Sequence, residues 1–470
     1  MEGLRLRPGN RGAMLRDGPL PATSLELRRM TTPKDVGYAR QLGLFSATML
    51  VIGGIIGSGI FRNPAEVARI VRTPELVYLV WGMGAVIALI GAFVFAELGA
   101  RRPRAGGGYA YLREAFGPLA GFMYAWALLL VMATGAIAAV AMTFAGYAAS
   151  LVGWPESAQQ PLAAGAIVLL TAVNIWGVRP AAWTQNLFTI LKLTAIAALV
   201  VAAFAAPAGM QVAMPAPTQV QTGLVLTLGA ALVPVLFAFG GWQQTNFVAE
   251  EMIAPERNLP RALVIGVLIV VAAYLLVNVA YLRTLGISGL AGSSAPAAET
   301  MGAIAGDAGR RLIAAGIVAS TFGFLNLVIL VSPRVYQAMA RDGLFFASFA
   351  RLHPTWRTPV AAILLQGAWA IGLLFSKRYG ELLDYVVFGD WIFFGLTAAS
   401  LFVLRRRDGG QSVAAATPLH PISTLLFIAA AIYVVFGSVT SNPHNAIRGA
   451  ALLLLGIPVF LFWRRRAATS

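Results

Sequence analysis

Long apolar runs dominate the chain, separated by short clusters of charge, glycine and proline. Many of the runs reach the roughly 20 residues that a helix needs to cross a bilayer. Twelve spans are read from them, at about 42–72, 76–98, 118–150, 160–178, 183–206, 222–253, 260–286, 310–341, 358–375, 380–404, 418–438 and 446–463. In lipid each backbone polar group must be satisfied within its own segment, so the pattern predicts an all-α integral membrane protein. An even number of spans puts both termini on one side.

Two spans carry interruptions. Span 1 contains Gly53-Gly54-Ile55-Ile56-Gly57-Ser58-Gly59-Ile60-Phe61. A glycine costs about 1 kcal/mol against alanine inside a helix, and irregular backbone at membrane depth is tolerated only where it is buried in protein or lines a cavity. Small residues also serve close helix packing, so glycine alone leaves two readings open. Span 6 adds the second signal, Phe237-Ala238-Phe239-Gly240-Gly241-Trp242 with Pro234 one turn earlier. Paired interruptions at corresponding positions of two halves point to a transporter binding site. An odd number of helices per half inverts the second half, which predicts a five-plus-five inverted repeat with helices 1 and 6 unwound at mid-membrane. The expected organisation is an N-terminal tail over 1–40, repeats over 41–206 and 222–405, helices 11 and 12 over 418–463, and a tail over 464–470.

Composition and charge narrow the class. The chain is 58% hydrophobic and only 11% charged, against roughly a quarter charged in soluble domains. Its net charge of +16 suggests a nucleic-acid partner until the arginines are placed, because they cluster at span ends. One side collects 25 Lys/Arg and the other 9, the bias that marks the cytoplasmic face. The expectation is a multi-pass protein of the cell (inner or plasma) membrane with both termini cytoplasmic, whose basic groups meet lipid headgroups rather than nucleic acid. The first 40 residues hold eight Lys/Arg and no apolar core of signal-peptide length, which reads as a retained tail. Tyr109 to Phe116 reads as a short amphipathic helix, and the segment from Ile287 to Gly309 has room for another on the outside. There is no cysteine, and the three histidines lie at loops or span ends. Metal binding, a cofactor and enzymatic hydrolysis therefore have no support.

An interrupted helix exposes N–H groups at the start of its second half and C=O groups at the end of its first, with partial positive and negative charge respectively. A zwitterion suits both ends. Its carboxylate takes the N–H groups near Gly57, Ser58 and Gly59, and its ammonium takes the carbonyls of Ile55 and of Phe237, Ala238 and Gly240. No side-chain ion is needed, so the residues favour an amino acid as ligand. Lys192 is the one Lys or Arg placed mid-span. A cation at that depth is functional by default, and its three donors suit carbonyls freed by the break in span 1. Asp390 is an intramembrane carboxylate on span 10, either lining the path or forming a structural pair. Tyr274 on span 7 is a candidate donor to broken backbone. Glu97, Glu250 and Glu251 are candidates for an inner gate or for anchoring loops.

Gly54-Ile-Ile-Gly-Ser-Gly-Ile-Phe61 with Asn63-Pro64, Phe95-Ala-Glu-Leu-Gly99, and Ala105-Gly-Gly-Gly-Tyr109 running on to Pro118 resemble the amino acid–polyamine–organocation superfamily. Phe237 to Glu251 followed by Pro255-Glu-Arg-Asn-Leu-Pro260, and Ser320-Thr-Phe-Gly323 with Arg334-Val-Tyr336, are similar to its L-type amino-acid transporter branch and to prokaryotic permeases. The resemblance covers about residues 40 to 405 and implies a leucine-transporter-like fold working by alternating access. It implies that Gly57, Ser58 and Gly59 bind the carboxylate, that Ile55 and Gly240 offer backbone to the ammonium, and that Phe237 closes over the substrate. It further implies that Lys192 stands in for a sodium ion and that Tyr274 supports the first broken helix. Animal members of the branch carry a cysteine between spans 3 and 4 for a disulfide-linked heavy chain. Here Leu151 to Gln160 has none, so a stand-alone carrier is expected. The function expected is sodium-independent transport of neutral L-amino acids, by exchange or proton coupling. The alternatives are a cationic amino-acid or polyamine permease and a non-transporting amino-acid sensor.

Overall fold

A computed structural model describes residues 37–207, 223–376, 379–411, 413, 415–441 and 443–469. Residues 1–36 of the expected N-terminal tail, and 208–222 between the two expected repeats, lie outside the described residues. Among the described residues the fold is helical throughout, and its one extended pairing is an isolated bridge between Leu42 and Met252.

The helices, in chain order, are α1 Leu44–Ile55, α2 Gly59–Val71, α3 Pro74–Arg101, α4 Gly108–Phe116, α5 Pro118–Val152, α6 Gln159–Ile175, α7 Val178–Ala205 and α8 Leu224–Ala238. A 3₁₀ segment, Trp242–Glu251, follows α8. Then come α9 Pro255–Gly292, α10 Pro296–Val331, α11 Pro333–Arg341, α12 Val360–Phe375, α13 Tyr379–Arg407, α14 Ile422–Ser441, α15 Pro443–Leu454 and α16 Gly456–Thr469. Among the described residues nine helical segments are long and apolar enough to cross a bilayer, and α1 with α2 adds a tenth bent by 40°. The short amphipathic helix read between spans 2 and 3 is α4. Residues 287–309, read as room for one short helix, are helical in two pieces that belong to the end of α9 and the start of α10, with kinks at Gly286 and at Ala305–Gly306. In the stretch expected as a C-terminal tail, α16 continues through Arg464, Arg465 and Arg466 to Thr469. Nothing between Trp463 and Thr469 is a helix breaker, so the helix runs on into the basic cluster.

α1 is deeply enclosed, with every residue from Ala47 to Ile55 buried. Its glycine face makes that burial possible. A Cβ on Gly53 would lie 1.9 Å from Nε2 of Gln185 in α7, and one on Gly54 would lie 2.8 Å from the carbonyl oxygen of Gly241. Both uses of glycine read from the sequence are therefore realised in one stretch: Gly53 and Gly54 pack, and Gly57 and Gly59 flank an interruption. Around α1 stand α7, α9 and α10, and behind α7 runs a chain of buried amides. Asn174 donates to Asn326, Asn326 to Gln185, Gln185 to Thr189, and the Thr189 hydroxyl to the Met49 carbonyl, at 3.1 to 3.2 Å. Buried polar groups are costly unless satisfied, so this chain fixes the register of α7 and α10 against α1.

Candidate functional site

The first interruption begins where Ile56 turns out of the helix, at φ −77° and ψ 88°, and ends where α2 starts at Gly59. The last carbonyls of α1 then lack intrahelical partners, and three side chains supply them. Lys192 Nζ donates to the Gly53 carbonyl at 3.2 Å and to that of Ile56 at 2.6 Å. The Ser320 hydroxyl lies 3.2 Å from the carbonyls of Ile56 and Gly57. The Tyr274 hydroxyl donates to the Ile55 carbonyl at 3.1 Å. Lys192 is fully buried, and among the described residues no carboxylate pairs with it. The negative end of α1 is its counter-charge.

The second interruption follows Ala238. Gly240 N–H donates back to the Phe237 carbonyl at 3.2 Å, Gly241 adopts φ +112°, and its N–H is taken by Gln243 Oε1 at 3.0 Å. Tyr274 reaches this break too, with its hydroxyl 3.2 Å from the Ala238 carbonyl. Asn63 of α2 donates to the Pro234 carbonyl of α8 at 2.8 Å. Each interrupted helix is therefore tied to the other on both sides of the crossing.

Between the breaks lies a cavity with an interior of about 100 Å³. Ile55, Gly57, Ser58, Gly59, Phe237, Ala238 and Gly240 line it, and Asp390 of α13 lines it as well. Ser58, Gly59 and Ile60 open α2, so their N–H groups have no helical carbonyl behind them. Their partial positive charge suits a carboxylate. Phe237 lines the cavity and is 38% exposed. Lys192 and Tyr274 do not line the cavity and act from behind it, on the backbone. The Ile55 carbonyl, assigned to an ammonium by resemblance, already accepts from Tyr274 and from the Gly57 N–H at 2.9 Å. Sequence reasoning missed the wall that α5 supplies. Leu128–Met132 winds as a π-helix, a form common at functional sites, and it turns Leu128 and Met132 toward the cavity. A run of five apolar residues carries no mark of that turn. Ser320 was visible only as part of a motif.

The arginine-rich end of the molecule is closed by ion pairs. Arg334 of α11 donates to Glu251 at 2.7 and 3.2 Å, with both side chains buried. The strap Tyr38–Leu42 covers them: the N–H groups of Gln41 and Leu42 donate to the Glu251 carbonyl, and Tyr38 donates to Gln337. Glu250, the neighbouring candidate, lies 3.5 Å from Arg341 near the surface. Glu97, buried at the end of α3, accepts from Arg101, Arg405 and the Thr417 N–H at 2.6 to 2.9 Å. Beside it Asp408 meets Arg102 and Arg101. The Arg102 hydrogen bond, with Arg101 adding to it, holds the Asp408 carboxyl below the usual carboxylate range. Among the described residues no three His, Asp or Glu side chains are grouped to hold a metal ion.

The sequence signature of the family described as "Amino acid permease" matches residues 42–458. The chain is 33% identical over 441 residues to the serine/threonine exchanger SteT of Bacillus subtilis, covering 93% of this chain and 99% of that protein. It is similar at 33% identity to the mouse Asc-type amino acid transporter 1, covering 92% of this chain and 83% of that protein. To the human large neutral amino acids transporter small subunit 2 it is 32% identical, covering 92% and 82%.

Proposed function

The chain belongs to the amino acid permease family, and from that premise we propose that it carries neutral L-amino acids across the membrane by alternating access, independently of sodium. The observation that carries the reading is the cavity between two interrupted helices, walled by peptide groups at Gly57, Ser58, Gly59, Ala238 and Gly240. The open N-terminus of α2 takes the substrate carboxylate, and the carbonyls at the end of α8 take its ammonium. Ile55 contributes to the ammonium site once its carbonyl is released by the Gly57 N–H. Phe237, on the cavity wall and 38% exposed, closes over the bound substrate. Lys192 places a fixed cation against α1, and this is the reason transport needs no sodium. Tyr274 couples the two breaks. Asp390 faces the substrate or the coupling proton.

The same reading has twelve spans: the nine apolar segments, the bent pair α1–α2, α12 and α13. It arranges residues 41–206 and 222–405 as inverted five-helix repeats with the breaks at mid-membrane, and appends 418–463. It places the protein in the cell membrane with the arginine-rich end and both termini in the cytoplasm. A chain without cysteine forms no disulfide, and the carrier works without a covalently linked heavy chain. Purified protein in liposomes preloaded with unlabelled amino acid tests the proposal. Saturable uptake of labelled neutral amino acid, stimulated by the internal pool or by an imposed proton gradient, is expected. Binding without flux would make the protein a sensor instead.

A further inference from the structure

The backbone site explains the amino-acid head group and leaves the side chain to the remaining wall of the cavity. That wall is mostly apolar, with Met132, Phe324, Trp391 and Phe394. Asp390 is the exception. Among the described residues the other two acids enclosed in the helical body, Glu97 and Glu251, are met by arginine. No hydrogen bond or ion pair reaches Asp390 from any described residue, and its side chain is partly open to the cavity. A carboxylate removed from bulk water is costly unless it is paired. Gln244 also lines the cavity, but its Oε1 is buried away from the open space. Asp390 is therefore the acceptor open to this space, and the apolar residues around it offer no donor.

Resting on the reading of the cavity as an amino-acid site, we propose that Asp390 is the residue that selects the substrate side chain, and that the preferred substrates are small amino acids whose side chains carry a hydrogen-bond donor. The interior of about 100 Å³ is well below the ~300–1,000 Å³ of pockets for drug-sized ligands, which favours short side chains. A hydroxyl, primary amide or short ammonium supplies the proton that the Asp390 carboxylate lacks. An aliphatic side chain of the same volume leaves Asp390 unpaired, and sites built around a hydrogen bond discriminate strongly against analogues that cannot make it.

Threonine and valine have nearly the same shape and differ in that donor, so their ratio of affinities isolates it. Competition by threonine, valine and alanine against a labelled substrate is measured in proteoliposomes for the wild type, Asp390→Leu and Asp390→Ala. The wild type is expected to favour threonine over valine at least tenfold. Both variants are expected to bring that ratio near one or invert it, read as displacement of bound labelled substrate so that a loss of transport does not hide it. A ratio unchanged in either variant overturns the assignment. Loss of alanine competition in both variants overturns it as well, because Asp390 then serves the head group. A wild type that binds none of the three refutes the amino-acid site itself, a failure distinct from unselective binding of all three.

Discussion

A methyl group on Gly241 would stand 2.1 Å from the carbonyl oxygen of Gly54. The two interrupted helices therefore cross in direct backbone contact, and neither backbone has a flexible tip that can yield. Gly241 also holds φ +112°, a region that L side chains avoid. Gly241→Ala is expected to cost about 1–3 kcal/mol from overpacking alone, with backbone strain added. The thermal midpoint in detergent should fall, and saturable uptake should be lost. A variant with the wild-type midpoint and wild-type uptake would mean that the crossing is looser than this contact requires.

The contact has a counterpart in charge. Lys192 Nζ spans the break in α1, from Gly53 to Ile56, where a bound cation would otherwise be needed against the freed carbonyls. Lys192→Ala is expected to slow or abolish transport while the protein remains folded and monodisperse. In the wild type, replacing external sodium with choline should leave initial uptake rates unaltered. A steep sodium requirement would remove Lys192 from the role of fixed cation, and unaltered flux in Lys192→Ala would remove it from the mechanism.

At the arginine-rich end, acid stability provides a separate check. Arg102, with Arg101, holds the Asp408 carboxyl below its ordinary range, so the native state favours the ionised form. The stabilisation is fully present above the unfolded value of about 3.9 and is lost as pH falls through the lowered native value. Between pH 5 and 8 the clamp should be indifferent to pH. Asp408→Asn should lower the thermal midpoint throughout that range, and it should lose part of the decline that the wild type shows below about pH 4. Superimposable profiles for the two proteins would show that the clamp contributes nothing to stability.

Much of this arrangement was legible in the sequence because the bilayer leaves few choices. A lysine amid apolar residues needs a carbonyl or an acid, and Lys192 found the carbonyls of Gly53 and Ile56. Four glycines within Gly53–Gly59 implied both packing and interruption, and both occur. The side walls were harder to foresee. The π-helix at Leu128–Met132 is chosen by tertiary fit, so residues that look like any other span came to line the cavity. Glu251 was a candidate for an inner gate, but its arginine lies 83 positions away, a separation at which sequence spacing says nothing about contact. Asp390 was left between lining the path and forming a pair; it lies on the cavity, and no described residue pairs with it.

The Arg334–Glu251 pair leads to a prediction about opening. Both side chains are buried, and removing one partner of such a pair leaves a charge costing about 3–5 kcal/mol. A rigid protein would meet that cost by losing stability. A protein with a second conformation meets it by letting water reach the charge, and 3–5 kcal/mol is enough to shift a two-state equilibrium by about 150- to 5,000-fold. The absence of native cysteine makes the difference measurable. Ser332 caps the start of α11, two residues before Arg334, is 1% exposed, and its hydroxyl has no partner. In a Ser332→Cys background a membrane-impermeant thiol reagent, applied from the arginine-rich side, should react slowly. Adding Glu251→Gln should raise the labelling rate several-fold or more, because that end opens. A lower thermal midpoint with no change in labelling would make the pair a structural clamp and remove it from the gate.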